Sequence, residues 1–184
     1  MARSYYSYRN ARGQFARYNE ELERVVKMAT KLGEEACQYA WERRGYYKPE
    51  TEYEPTFNIV DSIGSAVYVD GVLRPETKRY VYDIEISQKP YIDKGWGGTG
   101  GPMTGREALE RYWQNNQTLP TKGKNVVEIV CIAATFYAGI LEKWINHVQV
   151  ISAAADYLAS IQQDPRFADY KPRLNMVDSG RYQY

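Results

Sequence analysis

Apolar residues recur at spacings of three and four along one stretch of the chain: Leu22, Val25, Val26, Ala29, Leu32, Ala36, Cys37 and Ala40. That period predicts a long amphipathic helix over residues 18–43. Asn19 is placed to cap it. Glu20, Glu21 and Glu23 then fall in a first turn that favours carboxylates, and Arg43-Arg44-Gly45 supplies a C-terminal stop. Gly33 interrupts the stripe, either as a weak point or as a place where another backbone comes close. The face is narrow and rich in alanine, suited to packing on a sheet or on another helix.

After an extended loop with Pro49 and Pro55, the period changes to two. Within residues 57–70, Ala66, Tyr68 and Asp70 face one way and Val67 and Val69 the other, as in a strand. Asp70-Gly71 is a turn signal. A second strand is expected at about residues 79–86, where Val81, Asp83 and Glu85 alternate with Tyr82, Ile84 and Ile86. With 71–78 folded back as a loop, the two strands form an antiparallel pair. Residues 93–105 are Gly-rich. Thr104 followed by Glu107 reads as a capping box, and Ala108, Leu109, Tyr112 and Trp113 give the stripe of a helix running to about Asn115. Residues 125–134 are apolar on both alternating sides, the pattern of a central strand covered on both faces. Residues 135–144 suit either the end of that strand or a short helix. Residues 148–163 form a last helix, with Val148, Ile151, Ala155, Leu158 and Ile161 inward.

The expected fold class is α+β, with a small antiparallel sheet packed against a long N-terminal helix and two further helices. A single domain spans residues 18–163. Extended arms flank it at 1–17 and 164–184, and there is no internal repeat.

Composition adds one unusual feature, 18 tyrosines against 4 phenylalanines. Tyrosine offers a rigid apolar body with a polar tip, which suits surfaces buried on one side and wet on the other. A net charge of +1 argues against a dedicated nucleic-acid binder while permitting a local basic patch. The first 17 residues are such a patch: Arg3, Arg9 and Arg12 are interleaved with Tyr5, Tyr6 and Tyr8, and no acidic residue occurs among them. Arginine and tyrosine together serve as interface anchors, stack on nucleobases with nonspecific phosphate contact, or simply remain disordered. The chain start carries no apolar run of the signal-peptide kind. The most hydrophobic segment, residues 126–141, is short for a membrane span and includes Glu128. The expected setting is aqueous, with no membrane.

The chemistry-bearing residues are sparse. Cys37 and Cys131 sit in apolar patterns and read as free buried thiols. His147 is the single histidine, so zinc or a nucleophile–histidine pair has little to work with. Gly100 and Gly105 have phosphate-loop spacing, but Arg106-Glu107 stands where lysine and a hydroxyl residue are required. Asp83 and Glu85 share a strand face, as solvent-facing strand residues commonly do. The expectation is a protein that is not an enzyme and has no cofactor and no metal.

The order of elements resembles the tail-completion or neck proteins of tailed bacteriophages, the family named for gene product 10 of phage HK97. Asn58, Ile59, Val60, Asp61, Ser62 and Ile63, followed by Ala66-Val67-Tyr68, match the stretch that precedes the sheet in that family. Tyr137-Ala138 before Leu141-Glu142 match the aromatic-alanine pair near its domain end, although Lys143-Trp144 replaces the usual glycine. The resemblance covers roughly residues 18–163 and rests on short motifs. It implies a structural virion protein, made in the host cytoplasm, that assembles as a homo-oligomeric ring, hexameric or higher. Such a ring joins the tail tube to the head connector and contacts neighbouring neck and tail proteins. The interface candidates are Tyr5, Tyr6, Tyr8, Arg9, Trp96 and Tyr182. The alternative reading is a soluble, non-enzymatic protein- or nucleic-acid-binding module.

Overall fold

The structure, a computed structural model, describes residues 6–42, 61–81, 91–92, 102–120, 124–135, 151–162 and 173–174; for residues 6–14, 91–92 and 173–174 this is the backbone course. The elements in chain order are helix α1 (Tyr6–Glu42), strands β1 (Ile63–Val69), β2 (Val72–Tyr80), β3 (Tyr91–Ile92) and β4 (Pro102–Met103), helix α2 (Gly105–Asn115), strand β5 (Val127–Ala133), helix α3 (Ser152–Gln162) and strand β6 (Arg173–Leu174). The main sheet has the order β2-β1-β5-β6. Its first three strands are antiparallel, and β6 adds a short parallel edge against Glu128 and Ile129. This is the expected α+β arrangement of a long N-terminal helix, two further helices and a small antiparallel sheet.

The sheet is covered on both faces because its strands are apolar on both. Odd-numbered residues of β1 and β5 (Ile63, Val67, Ile129, Cys131 and Ala133) pack with Val26, Ala29, Leu32, Ala36 and Ala40 of α1 and with Ala154 and Leu158 of α3. Even-numbered residues (Ala66, Tyr68, Val130 and Ile132) pack with Leu73 of β2 and with Leu109 and Trp113 of α2. Burying a large aliphatic or aromatic side chain contributes about 1.5–3 kcal/mol. The alternation that put β5 at the centre of the sheet is therefore also what recruits helices to both sides.

Two glycines set how closely these layers approach. A Cβ on Gly33 would lie 2.9 Å from the Ser65 hydroxyl oxygen and 3.0 Å from Ile129 Cγ2. A Cβ on Gly64 would lie 2.6 Å from the Arg79 carbonyl oxygen and 2.8 Å from Leu109 Cδ2. Gly33 is thus the point where α1 settles onto β1 and β5, and Gly64 marks the equivalent approach of α2 on the far face.

Several boundaries differ from those the pattern predicts. Helix α1 begins at Tyr6, so residues 6–17 belong to the helix and are not an aperiodic arm, and Asn19 lies in the helix interior instead of capping it. Ala11, Gln14, Ala16 and the interspersed arginines are good helix formers, and no proline intervenes to stop propagation. Strand β2 begins directly after the Asp70-Gly71 turn rather than at residue 79. Both turn residues have positive φ, 51° and 79°, the geometry of a two-residue hairpin that matches strand twist. The expected loop at 71–78 is instead a strand with a large bulge. Val67 pairs with Arg74 and Ser65 with Arg79, so Pro75, Glu76, Thr77 and Lys78 face the single residue Ala66. Thr77 fills the gap. Its buried hydroxyl accepts from Val67 N at 2.8 Å and donates to the Arg74 carbonyl at 2.6 Å, replacing ladder bonds that the bulge removes. Arg173–Leu174 pairs with β5, so the segment after residue 163 also contributes to the domain. The strand residues expected at 82–86, with Asp83 and Glu85, and the segment 136–150, with His147, lie outside the described residues.

Elsewhere prediction and structure agree. Thr104 caps α2 and accepts from Glu107 N at 3.2 Å, while Glu107 accepts from Thr104 N at 2.7 Å; the helix ends at Asn115. Of the inward residues expected on the last helix, Leu158 is buried, Ile151 is buried just ahead of α3 and Ile161 packs half-buried against the same core; Ala154 takes the buried position expected of Ala155, which is half-buried, and Val148 lies outside the described residues.

Replacing Gly33 by alanine is expected to destabilise the fold by about 1–3 kcal/mol, even though alanine gains about 1 kcal/mol in intrinsic helix preference. Urea unfolding measures this. A variant more stable than the parent would mean that α1 does not rest this closely on β1 and β5.

Candidate functional site

Two assemblies of side chains stand out from the fold: the part of α1 that runs past the sheet, and a charged cluster between α2 and β2. A 37-residue helix is about 55 Å long, against about 23 Å for a seven-residue strand. The buried stripe of α1 starts at Val26, with Leu22 and Val25 half-buried before it. Residues 15–21 are all exposed. Tyr18 marks where the helix leaves the body. Its hydroxyl donates to Asn125 Oδ1 at 2.6 Å, and Asn125 is held in a left-handed conformation (φ 60°) just before β5. Nearby, Arg74 of β2 reaches Glu23 of α1 in an ion pair and also lies 3.1 Å from Glu76. Beyond Tyr18 the helix continues through Tyr6–Arg17, twelve residues or about 18 Å.

The apolar stripe does not end where the body ends. Phe15, Tyr18, Leu22, Val25 and Val26 continue the spacing of three and four, and Phe15 is 67% exposed. The flanks carry charge that changes sign along the rod. Arg17 precedes Glu20, Glu21 and Glu23, which are followed by Arg24 and Lys27, and Arg24 pairs with Glu21 at 2.7 Å. An exposed phenylalanine on an otherwise charged helix is an apolar contact point with a polar rim, the anatomy of a protein–protein contact.

The second assembly fastens α2 to the sheet edge. Tyr80 of β2 donates from its hydroxyl to Glu110 Oε1 of α2, and Lys78 Nζ reaches Glu110 Oε2 at 3.1 Å. The Arg106 guanidinium lies 3.7 Å from the centre of the Tyr80 ring and bonds the buried Asp61 carboxylate at 3.2 Å. Trp113 meets Tyr80 edge-on at 5.3 Å, with Lys78 Nζ 5.0 Å from its ring centre. Burial pushes the Tyr80 hydroxyl up to about 12, and its bond to Glu110 adds to the shift. Burial also pushes the Glu110 carboxyl upward, but the hydrogen bonds from Tyr80 and Lys78, with the charges of Lys78 and Arg106, outweigh it and leave Glu110 below the usual carboxylate range. At neutral pH the acid is ionised, the phenol is protonated, and each satisfies the other. The groups form a clamp, and neither is poised for proton transfer near neutrality.

Of the six sequence-predicted interface residues, Tyr6, Tyr8 and Arg9 fall on the first turns of α1, upstream of the exposed Phe15 and Tyr18. Tyr5, Trp96 and Tyr182 lie outside the described residues. The structure therefore brings three of the six onto one rod and adds Phe15, which sequence reasoning had left in the arm, and Tyr18, which it had placed at the start of the helix but not among the contact residues. Their signal was present, since 15, 18 and 22 extend the stripe backward. Two further carboxylates lie apart from each other: Glu110 sits on the α2–β2 seam, and Glu128 is buried in β5 opposite Tyr68. Among the described residues no group of three or more histidine, cysteine, aspartate or glutamate side chains is arranged to hold a metal ion, and no helix is long and apolar enough to cross a membrane.

The clamp has a defined pH window. Glu110 has a lowered folded-state pKa, so its contribution is present above about pH 4.3 and is lost as pH falls through the folded value. Tyr80 has a raised folded-state pKa, so its contribution is present below about pH 10 and is lost as pH rises through about 12. Tyr80→Phe is expected to cost about 1–3 kcal/mol at pH 7 and to flatten the stability loss on both the acid and the alkaline side. Urea unfolding of parent and variant at pH 3, 7 and 10.5 measures this, and parallel pH profiles would show that the two groups are not coupled. No protein-family model, curated protein or solved structure matches the chain.

Proposed function

We propose that the protein is a non-enzymatic structural subunit that assembles with copies of itself into a ring. The ring is of the head–tail joining kind that the sequence resembles, and its place is the neck of a tailed-phage particle. The observation that carries the self-assembly part of this reading is the overhang of α1. Its apolar stripe continues past the body to an exposed Phe15, on a rod with a basic beginning and an acidic patch at Glu20–Glu23. A ring closes through head-to-tail contacts, each subunit offering one surface to the next and receiving the opposite one. A stiff helix projecting about 18 Å is suited to reach a neighbour. The phage assignment rests on the motifs around Asn58–Ile63 and Tyr137–Glu142 together with the fold order of long helix, antiparallel hairpin and closing helix.

Light scattering on the full-length protein over a range of concentration tests the reading. A closed oligomer near six copies is expected. Phe15→Glu should drive it to monomer while leaving stability within about 0.5 kcal/mol of the parent, because the residue is exposed in the single subunit. A parent that stays monomeric at every concentration would overturn the ring and leave a soluble binding module. An oligomer indifferent to Phe15→Glu would move the contact away from the overhang.

A further inference from the structure

The apolar stripe that leaves the body on α1 keeps a stricter period than its own sheet requires. Tyr8, Ala11, Phe15, Tyr18, Leu22 and Val25 follow one another at alternating steps of three and four. That is the seven-residue repeat by which two helices lie along each other. From Val26 onward the same face is seated on β1 and β5 of its own subunit. Ahead of Leu22 it is uncovered. Every residue from Phe15 to Glu21 is exposed, Phe15 at 67% and Tyr18 at 41%.

Shape and charge together choose the occupant and its direction. A second helix laid on this face in the same direction would run on into the space that the sheet fills. Laid in the opposite direction, it stays beside the free segment, and its own body lies at the far end. The charges fit a second copy in that orientation. The first turn of α1 has no acidic residue, and no carboxylate precedes Glu20 in the chain. A helix start is the positive end of the helix dipole and favours carboxylates nearby. An antiparallel copy brings its Glu20 and Glu21 level with that start, and the symmetry of the pair repeats the contact.

We propose that the free segment of α1 pairs antiparallel with the same segment of a second copy, about a two-fold axis level with Gly13. In this register Phe15 of each copy lies opposite the small Ala11 of the other, and Tyr8 lies opposite Tyr18. The facing layers are then large on small and aromatic on aromatic. On one flank Gln14 lies opposite its own equivalent, and Ser7 lies opposite Glu21. On the other flank Arg12 lies opposite Arg12. That like-charge contact opposes the pair, against the two contacts between carboxylates and helix starts that favour it. The inference rests on the self-assembly reading of the overhang and names the surface that the overhang meets. A two-fold pair does not close a ring by itself. It supplies alternate contacts around one, and the remaining contacts lie between bodies.

Cysteines added one at a time to the full-length protein test the pairing. Cys37 and Cys131 are buried, so the parent under a mild oxidant serves as the background, with no covalent dimer expected. Gln14→Cys is expected to give a covalent dimer on a non-reducing gel. Ser7→Cys alone and Glu21→Cys alone should give none, whereas the two variants co-expressed should give a heterodimer, identified by intact mass. Adding Phe15→Glu to Gln14→Cys should abolish the dimer while the circular dichroism stays that of the parent. Arg12→Gln should tighten the assembly, read by light scattering as dissociation at lower concentration, and added salt should narrow its difference from the parent. Ser7→Cys and Glu21→Cys that each cross-link to themselves and not to each other would show a parallel pair and overturn the proposal. A parent that is oligomeric by light scattering while none of the cysteine positions cross-links would also overturn it. The exposed face would then belong to a neighbour's body or to a different partner, and the ring reading would stand. A parent that is monomeric at every concentration would remove both.

Discussion

The close seat of α1 on the sheet at Gly33 is the constraint on which the rest of the structure depends. Helix and sheet approach until Ser65 and Ile129 would collide with any side chain at that position. The small residues at 29, 36 and 40 allow the same depth along the rest of the stripe. Because the helix is seated there, its direction relative to the strands is set. Its N-terminal half must then leave the body at Tyr18, beside the Asn125 turn and the Glu23–Arg74 ion pair. The same seat presses Cys131 against the Gly33 carbonyl. A shallower helix would loosen the thiol contact and re-aim the overhang together.

The opposite face is organised differently. There α2 is fixed by chemistry at its two ends and along one side. A capping box at Thr104 satisfies its first amides, the Asn116 carbonyl accepts from Tyr68 at its end, and the Lys78–Glu110–Tyr80–Arg106 cluster holds its flank to β2. Ion pairs with partly exposed partners contribute little alone, typically below about 1 kcal/mol. The aromatic stacking and the buried Asp61 give this cluster its rigidity. The molecule therefore has one face held by shape and one held by directed polar contacts.

Periodicity made most of this architecture legible. The α1 stripe, the capping box of α2, the two-sided β5 and, in α3, Leu158 follow from local spacing, and local spacing survives into the fold. What escaped was set by contacts distant in sequence. The bulge in β2 depends on Thr77 meeting Val67 across the hairpin, so the stretch around Pro75 reads as loop when taken alone. The early start of α1 was missed because Tyr- and Arg-rich composition suggested an arm, whereas Ala11, Ala16, Phe15 and Tyr18 already extended the helical pattern. Half of the interface candidates are bound to one helix by the fold, and the exposed Phe15 that gives the rod its contact point emerges only once it is known where the body stops.

The bulge in β2 bears on how the chain behaves before it meets any partner. An outer strand with a full row of amides and carbonyls is a template on which other chains add strands, and the end product is fibrous precipitate. Here Pro75 offers no amide, and Thr77 turns inward to spend its hydroxyl on Val67 and Arg74. The outer ladder is broken in mid-strand. A newly made copy at high concentration in a cell is thereby steered away from sheet-to-sheet accretion. Whatever association it undergoes is left to side chains, whose fit can be selective, rather than to backbone, which pairs with any extended chain.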